Sequence, residues 1–344
     1  MLTIKDWMKY SDIDFNNKTI LITGGAGFIG SNIAFYLQDN YPDANIIIFD
    51  CFRNNEFLSN GNPSSYGHYK NLIGFKGEVI CGNINSKHDL LFLDKYKFDY
   101  IFHQAAISDT RVYNQELVMK TNVNSFHDLL KIAKKNQSIM IYASSAATYG
   151  SLPSPQVVGN ENPENPYGYS KLLMDQIASR FANENPNMTI VGLRFFNVYG
   201  PREFYKAKTS SMIIQLSHQI LDNKSPRLFE NSNKILRDFV YIEDVVQANI
   251  KACSPKKNGT YNVGTGTPRS FQDVADILQK QLATSLNIEY FPNPYDGYQL
   301  NTQADITSTK DNLRYEPIFS LEKGIQSYLP EIKRLYGEDI LWLS

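Results

Sequence analysis

Tyr167 and Lys171 stand four residues apart in the run Tyr167-Gly-Tyr-Ser-Lys171. On a helix that spacing sets a phenol and an ammonium side by side on one face. A neighbouring cation favours phenolate and draws a tyrosine pKa down from about 10 toward working pH. Tyr167 is therefore read as a general base, with Lys171 as the charge that tunes it. One Tyr-x-x-x-Lys match alone says little. Here it lies downstream of a glycine-rich turn and of Ser144-Ser145 at the end of an apolar run, and that order matters. A hydroxyl at Ser145 can hold a substrate oxygen while Tyr167 takes its proton. The plain alternative for Ser145 is a strand-end cap.

The glycine-rich turn is Thr23-Gly24-Gly25-Ala26-Gly27-Phe28-Ile29-Gly30, with glycines at 24, 27 and 30. It follows a strand pattern and opens a helix pattern, the context in which small residues and free N–H groups cradle a pyrophosphate. A dinucleotide here would accept the hydride that leaves as Tyr167 takes the proton, and Lys171 could anchor the nicotinamide ribose. Asp50 ends the second strand, roughly 20 residues after the last glycine, where an acid can accept from a ribose hydroxyl. Asp50 alone favours NAD, whereas Arg53 and Lys70 could neutralise the 2′-phosphate of NADP, and the residues leave that choice open. Cys51 adjoins the ribose position, and Asn83-Ile84 could meet the adenine. Gln104-Ala105-Ala106-Ile107-Ser108 is small enough to admit the nicotinamide half, and Asn122 and Val198 complete the cofactor-side candidates.

Elements must position these groups. Short apolar runs at 19–23, 46–50, 79–81, 100–102, 139–143 and 189–194, with helix patterns between them, predict a parallel sheet covered on both faces. The helix after the glycines spans Phe28 to Asp39. From Arg53 to Gly77 the pattern lapses into a polar loop. Beyond about Gly200 it loosens, with short runs at 239–241 and 260–263 and helices expected near 209–222, 242–253, 270–281 and 321–335. The expected class is α/β, a Rossmann-type doubly wound parallel sheet with a smaller mixed α/β C-terminal lobe. The expected division is a dinucleotide domain at 1–195 and a substrate lobe at 196–344 with segments returning to the first domain.

Composition narrows the classes. With 344 residues, 42% hydrophobic and 20% charged, the chain can bury a large core. A net charge of -1 gives no field directed at nucleic acid or an anionic membrane. No stretch approaches the ~20 apolar residues of a membrane span. Cys51, Cys81 and Cys253 are too scattered for a disulfide framework or a zinc site. The expectation is a soluble cytoplasmic protein with no metal.

Further motifs accumulate: Tyr-Ala-Ser-Ser-Ala-Ala-Thr-Tyr-Gly at 142–150, Arg-Phe-Phe-Asn-Val-Tyr-Gly-Pro-Arg-Glu at 194–203, Arg-Asp-Phe-Val-Tyr at 237–241 and Asn-Val-Gly-Thr-Gly at 262–266. With the fingerprint and Tyr167/Lys171, they make the chain resemble the extended short-chain dehydrogenase/reductases that act on nucleotide sugars. The resemblance runs from Lys18 to about Tyr336. The 4,6-dehydratases of that group carry an Asp-Glu pair after the serine. This chain has Ala146-Ala147, which cannot exchange protons, so dehydration is not expected.

A narrower set is similar to the ADP-L-glycero-D-manno-heptose 6-epimerases: Pro201-Arg-Glu-Phe-Tyr-Lys206, Leu228-Phe-Glu230, Leu236-Arg-Asp-Phe-Val240 and Tyr298-Gln-Leu-Asn-Thr-Gln-Ala-Asp305. That resemblance implies inversion at C6 of the heptose, for the inner core of bacterial lipopolysaccharide, through a transient ketone. It implies tightly held NADP and a homo-oligomer, often a pentamer. Lys206 would be a second acid/base that also contacts the cofactor; its plain alternative is a phosphate contact or a solvated loop lysine. For the substrate it implies Ser145, Asn197, Phe229, Glu230, Ser232, Arg237 and Tyr298 as contacts, with Arg237 forking onto the diphosphate. Lys208, Gln215 and Asn231 share the substrate region but depart from the pattern, where small or histidine side chains and a glycine are familiar. A nucleotide-sugar 4-epimerase using Ser145, Tyr167 and Lys171 is the competing enzyme reading. A cofactor-sensing binding protein is the competing class.

Overall fold

The computed structural model describes residues 9–294 and 299–337. Its centre is a seven-stranded, all-parallel sheet. In chain order the strands are β1 (Thr19–Thr23), β2 (Asn45–Asp50), β3 (Glu78–Cys81), β4 (Tyr100–His103), β5 (Ile139–Ser145) and β6 (Ile190–Phe195), and the seventh comes from Gly259–Val263. The spatial order is seventh strand-β6-β5-β4-β1-β2-β3.

Alternation explains the layering. Ile20 and Ile22 of β1 join a core with Ile33 and Leu37 of helix α1 (Phe28–Asn40). Leu21, between them, joins the opposite core with Leu129 and Leu130 of the helix Ser125–Asn136 and Met174 of the helix Pro166–Glu184. Side chains point to opposite faces with a period of two, so one strand feeds both layers.

The chain after β4 enters a helical run interrupted by a π-type turn at Lys120–Asn124. The four helices expected after the sixth strand span Met212–Leu221, Ile242–Lys251, Phe271–Leu282 and Leu321–Leu335, and a further one, Thr307–Leu313, was not expected. The four fall within three residues of the expected spans. Between them the chain forms three two-stranded ribbons: Asn197–Tyr199 with Phe239–Tyr241, Leu236–Arg237 with Arg269–Ser270, and Arg227–Phe229 with Glu289–Phe291. None was legible as a strand pair, because two or three residues carry no periodicity. Asp238 ties these parts together. Its carboxylate accepts from the amides of Thr265 (2.7 Å), Gly266 (2.9 Å) and Ala304 (2.9 Å). No helix among the described residues is long and apolar enough to cross a membrane.

Candidate active site

A cleft of about 690 Å³ opens at the carboxyl edge of the sheet, within the ~300–1,000 Å³ usual for ligand pockets. Its floor is the glycine turn. A methyl on Gly30 would collide with the Gly24 carbonyl, so the tight turn into α1 needs a glycine there. Gly27 is the N-cap of α1 and supplies no side chain to the first-turn amides. Those amides face the same cleft as Gly24, Phe28, Ile29 and Gly30, and they suit a diphosphate.

Asp50 behaves differently from the sequence reading. Its carboxylate accepts from the Ala26 amide (2.9 Å) and the Phe52 amide (2.8 Å), and it is only 5% exposed. Burial raises its pKa, against those two amides. It builds the turn next to the cofactor cradle as well as lining it. Cys51, Asn83, Ile84 and the 104–108 segment line the cleft. Arg53 and Lys70 converge instead on Tyr205: the Arg53 guanidinium donates to the Tyr205 carbonyl, and Lys70 Nζ lies 5.8 Å from the Tyr205 ring centroid. Asn122 is fully buried. Its Oδ1 accepts from the Ile107 amide (2.9 Å), and its Nδ2 donates to the Ile107 carbonyl (3.0 Å) and Ser170 Oγ (2.9 Å). It holds the 105–108 wall against the catalytic helix.

The helix Pro166–Glu184 starts cleanly. Asn165 caps it by accepting from the Gly168 amide (2.8 Å), and Pro166 occupies its first turn. Gly168 lets this helix touch the turn Ala146–Tyr149, because a methyl there would strike the Ala147 carbonyl. Ser145 ends β5 and caps that same turn, accepting from the Ala147 amide at 3.1 Å. Its hydroxyl also bonds Tyr167. Ser145 therefore caps the turn and still sets its hydroxyl beside the Tyr167 phenol.

The acidity of Tyr167 needs correcting. Its pKa is raised, not lowered: burial strips water from the phenolate, and the Ser145 hydrogen bond only partly offsets that. Lys171 lies 5.8 Å from the ring centroid and sends Nζ to the Ala143 carbonyl (2.7 Å), so its charge is spent on the β5 backbone. Burial pulls the Lys171 ammonium down to about 8, with Asp175 opposing. His103, below, bonds Thr23 Oγ1 through Nδ1 (2.7 Å) and is held neutral, its pKa lowered to about 3, first by burial and then by Lys171.

Behind the trio lies a charge network that the sequence reading missed. Asp175 accepts from Tyr142 Oη (2.9 Å), Ser144 Oγ (2.9 Å) and Arg194 Nε (2.9 Å), and Arg194 also pairs with Glu161 at 2.6 Å. The signal was present: Asp175 sits four residues beyond Lys171, on the same helix face.

Lys206 lines the same cleft, its Nζ 5.5 Å from the Phe28 ring centroid. Burial lowers its pKa, against Glu203 and Asp109. Its loop is closed by the fully buried Glu203, which accepts from the amides of Gly200 (3.1 Å) and Ser211 (2.7 Å). Asn197, Val198 and Arg237 also reach the cleft. Arg237 donates to the carbonyls of Leu236 (2.8 Å) and Gln299 (2.6 Å).

The remaining described substrate-side positions lie outside this cleft. Lys208 and Glu230 are exposed, Phe229 packs edge-on against Phe291, Ser232 is buried, and Gln215 donates to the Ser210 carbonyl (2.7 Å). Asn231 has φ +59°, a left-handed position that explains an asparagine where a glycine is familiar. Tyr298 falls outside the described residues.

A family model for the NAD dependent epimerase/dehydratase family matches residues 20–264. The chain belongs to that family. Among solved structures it is 51% identical to the ADP-L-glycero-D-manno-heptose-6-epimerase of Helicobacter pylori, with a TM-score of 0.87, covering 95% of this chain and 99% of that one. It is 26% identical to the UDP-glucose 4-epimerase of Thermotoga maritima, solved with UDP-glucose, with a TM-score of 0.81 over 92% of this chain and 99% of that one. A UDP-glucuronic acid 4-epimerase of Bacillus cereus, solved with NAD, is likewise 26% identical, with a TM-score of 0.76, covering 92% of this chain and 99% of that one. The seven-stranded sheet and the Ser145/Tyr167/Lys171 cleft are thus set within an epimerase/dehydratase scaffold.

Proposed function

We propose that the chain is a redox-neutral 6-epimerase of an ADP-linked glycero-manno-heptose, working with resident NADP as a cytoplasmic homo-oligomer in lipopolysaccharide core synthesis. The observation that carries this reading is the presence of Lys206 in one cleft with Ser145, Tyr167 and Lys171, beside 51% identity to a heptose-6-epimerase. The first-turn amides of α1 fit a dinucleotide diphosphate. Asp50 accepts one amide on each oxygen and keeps lone pairs for a ribose hydroxyl, so the NADP reading rests on the family resemblance and not on Asp50. A nicotinamide held in this cleft would supply the hydride acceptor and donor for the sugar carbon.

The residues handle the protons. Ser145 holds the C6 oxygen, and Tyr167, in the phenolate form that its Ser145 hydrogen bond favours against burial, removes the proton as hydride departs. Because C6 is exocyclic, rotation about C5–C6 presents the other face without release of the sugar. The oxygen then points elsewhere, and Lys206 supplies its proton. A nucleotide-hexose 4-epimerase would turn the whole sugar and would not need Lys206.

Incubation with ADP-D-glycero-D-manno-heptose, followed by NMR at C6, tests this. The expected result is an equilibrium of both epimers with no net change in nicotinamide absorbance, lost in Lys206→Ala. Absence of conversion with NADP or NAD added, or turnover of a nucleotide hexose at C4 instead, would overturn it.

A further inference from the structure

The polar loop from Arg53 to Gly77 reads as a solvated excursion, yet it fastens three walls of the cleft together. Its His68 amide and its Asn71 side chain both donate to the Ala26 carbonyl of the glycine turn, at 3.0 Å each. Its Asn60 and Asn62 amides donate to Asp109 Oδ2, at 2.8 and 2.5 Å. The third wall is the Lys206 loop, where Arg202 Nε donates to the Asn71 carbonyl at 3.3 Å.

The contact beside Lys206 is the most specific. The His68 imidazole lies flat on the Tyr205 ring, with centroids 4.0 Å apart and planes 2° from parallel. His68 Nδ1 accepts from the Lys70 amide (3.2 Å), which fixes the rotation of the imidazole. Arg53 donates to the Tyr205 carbonyl. That carbonyl belongs to the peptide whose N–H is the Lys206 amide, and the Lys206 amide donates to the Glu203 carbonyl at 2.9 Å. The Tyr205–Lys206 peptide is therefore held at both ends, with its preceding ring clamped as well. A peptide plane fixed this way fixes the N–Cα bond of Lys206, and the helical turn Phe204–Thr209 restricts the remaining rotation that aims its side chain.

We propose that His68 and Arg53 are positioning residues for Lys206, acting through the ring and carbonyl of Tyr205. The inference rests on the proposed acid/base role of Lys206. It assigns the loop to the second proton-transfer step and not only to holding cofactor. Neither residue touches the reacting carbon. Their effect is on how often the Lys206 ammonium is aimed at the rotated oxygen, so it belongs in kcat.

The test uses the full-length enzyme with saturating NADP and ADP-D-glycero-D-manno-heptose. His68→Ala is expected to lose about tenfold to a hundredfold in kcat, as misplaced catalytic groups do, with KM and NADP affinity by fluorescence titration unchanged. His68→Phe keeps a flat ring over Tyr205 and should recover most of the loss. His68→Asn keeps an acceptor for the Lys70 amide but no ring; it should share the loss, and it serves in place of His68→Ala if that variant does not fold. Wild-type kcat in His68→Ala or His68→Asn, or a loss confined to NADP affinity, would overturn the inference while Lys206→Ala remains impaired. Full kcat in Lys206→Ala would instead overturn the acid/base role of Lys206, and the inference with it.

Discussion

Tyr167 works from a nearly closed position, 9% exposed, with Ser145 as the hydroxyl beside its phenol. Tyr167→Phe keeps the ring and its packing but removes the transferable proton. Epimerisation should fall by about 10²–10⁴-fold, while cofactor titration stays unchanged; retention of full turnover would remove Tyr167 from the chemistry. Lys171 carries a stability consequence. Its folded pKa of about 8 lies below the ~10.4 of an unfolded lysine. Between those values the unfolded chain holds the extra proton, so unfolding free energy rises with pH there, and the penalty is fully present below about 8. Wild type should therefore gain stability relative to Lys171→Met as urea titrations move from about pH 7 to about pH 10. A pH-independent difference would refute the buried-ammonium account. The identities of Ser145, Tyr167 and Lys171 were legible because residue type and spacing state them. Their acidities were not, because burial is set by residues far away in sequence.

At the scale of elements, the helix Pro166–Glu184 is placed by a cap, a glycine and a carboxylate. Gly168→Ala should cost about 1–3 kcal/mol, as overpacked contacts do, and should lower turnover by shifting Tyr167 away from Ser145. Asp175→Ala should be the costlier change, about 3–5 kcal/mol, because it leaves Arg194 with Glu161 alone and strips a partner from two buried hydroxyls. Thermal unfolding of the two variants ranks them; a smaller loss for Asp175→Ala would refute the network argument. The long strands and helices could be read from periodicity, since six apolar runs and four helix patterns survive nearly unchanged. The three ribbons could not. Neither could the fold-back of Arg53–Gly77, which reads as a polar loop yet sends Asn60 to Asp109, Asn71 to the Ala26 carbonyl and Arg53 to the Tyr205 carbonyl.

At the scale of the whole molecule, the first 195 residues do not complete their own sheet. Every residue of β6 is buried, and its outer edge pairs with Gly259–Val263, from Gly259 opposite Val191 to Val263 opposite Phe195. A fragment ending at Phe195 leaves that apolar edge open. It should aggregate or show no cooperative urea transition, whereas a fragment running through the seventh strand should recover one; a cooperative transition in the shorter piece would establish an independent domain. The same pairing bears on synthesis. Sixty-eight residues separate Phe195 from Val263 (263 minus 195), and at about 5–20 residues per second a ribosome needs roughly 3–14 seconds to cross that gap. For those seconds β6 can pair with β5 on one side while its other edge stays open, a template for pairing with another emerging copy. Chaperone demand should therefore peak between the completion of β6 and the emergence of Val263.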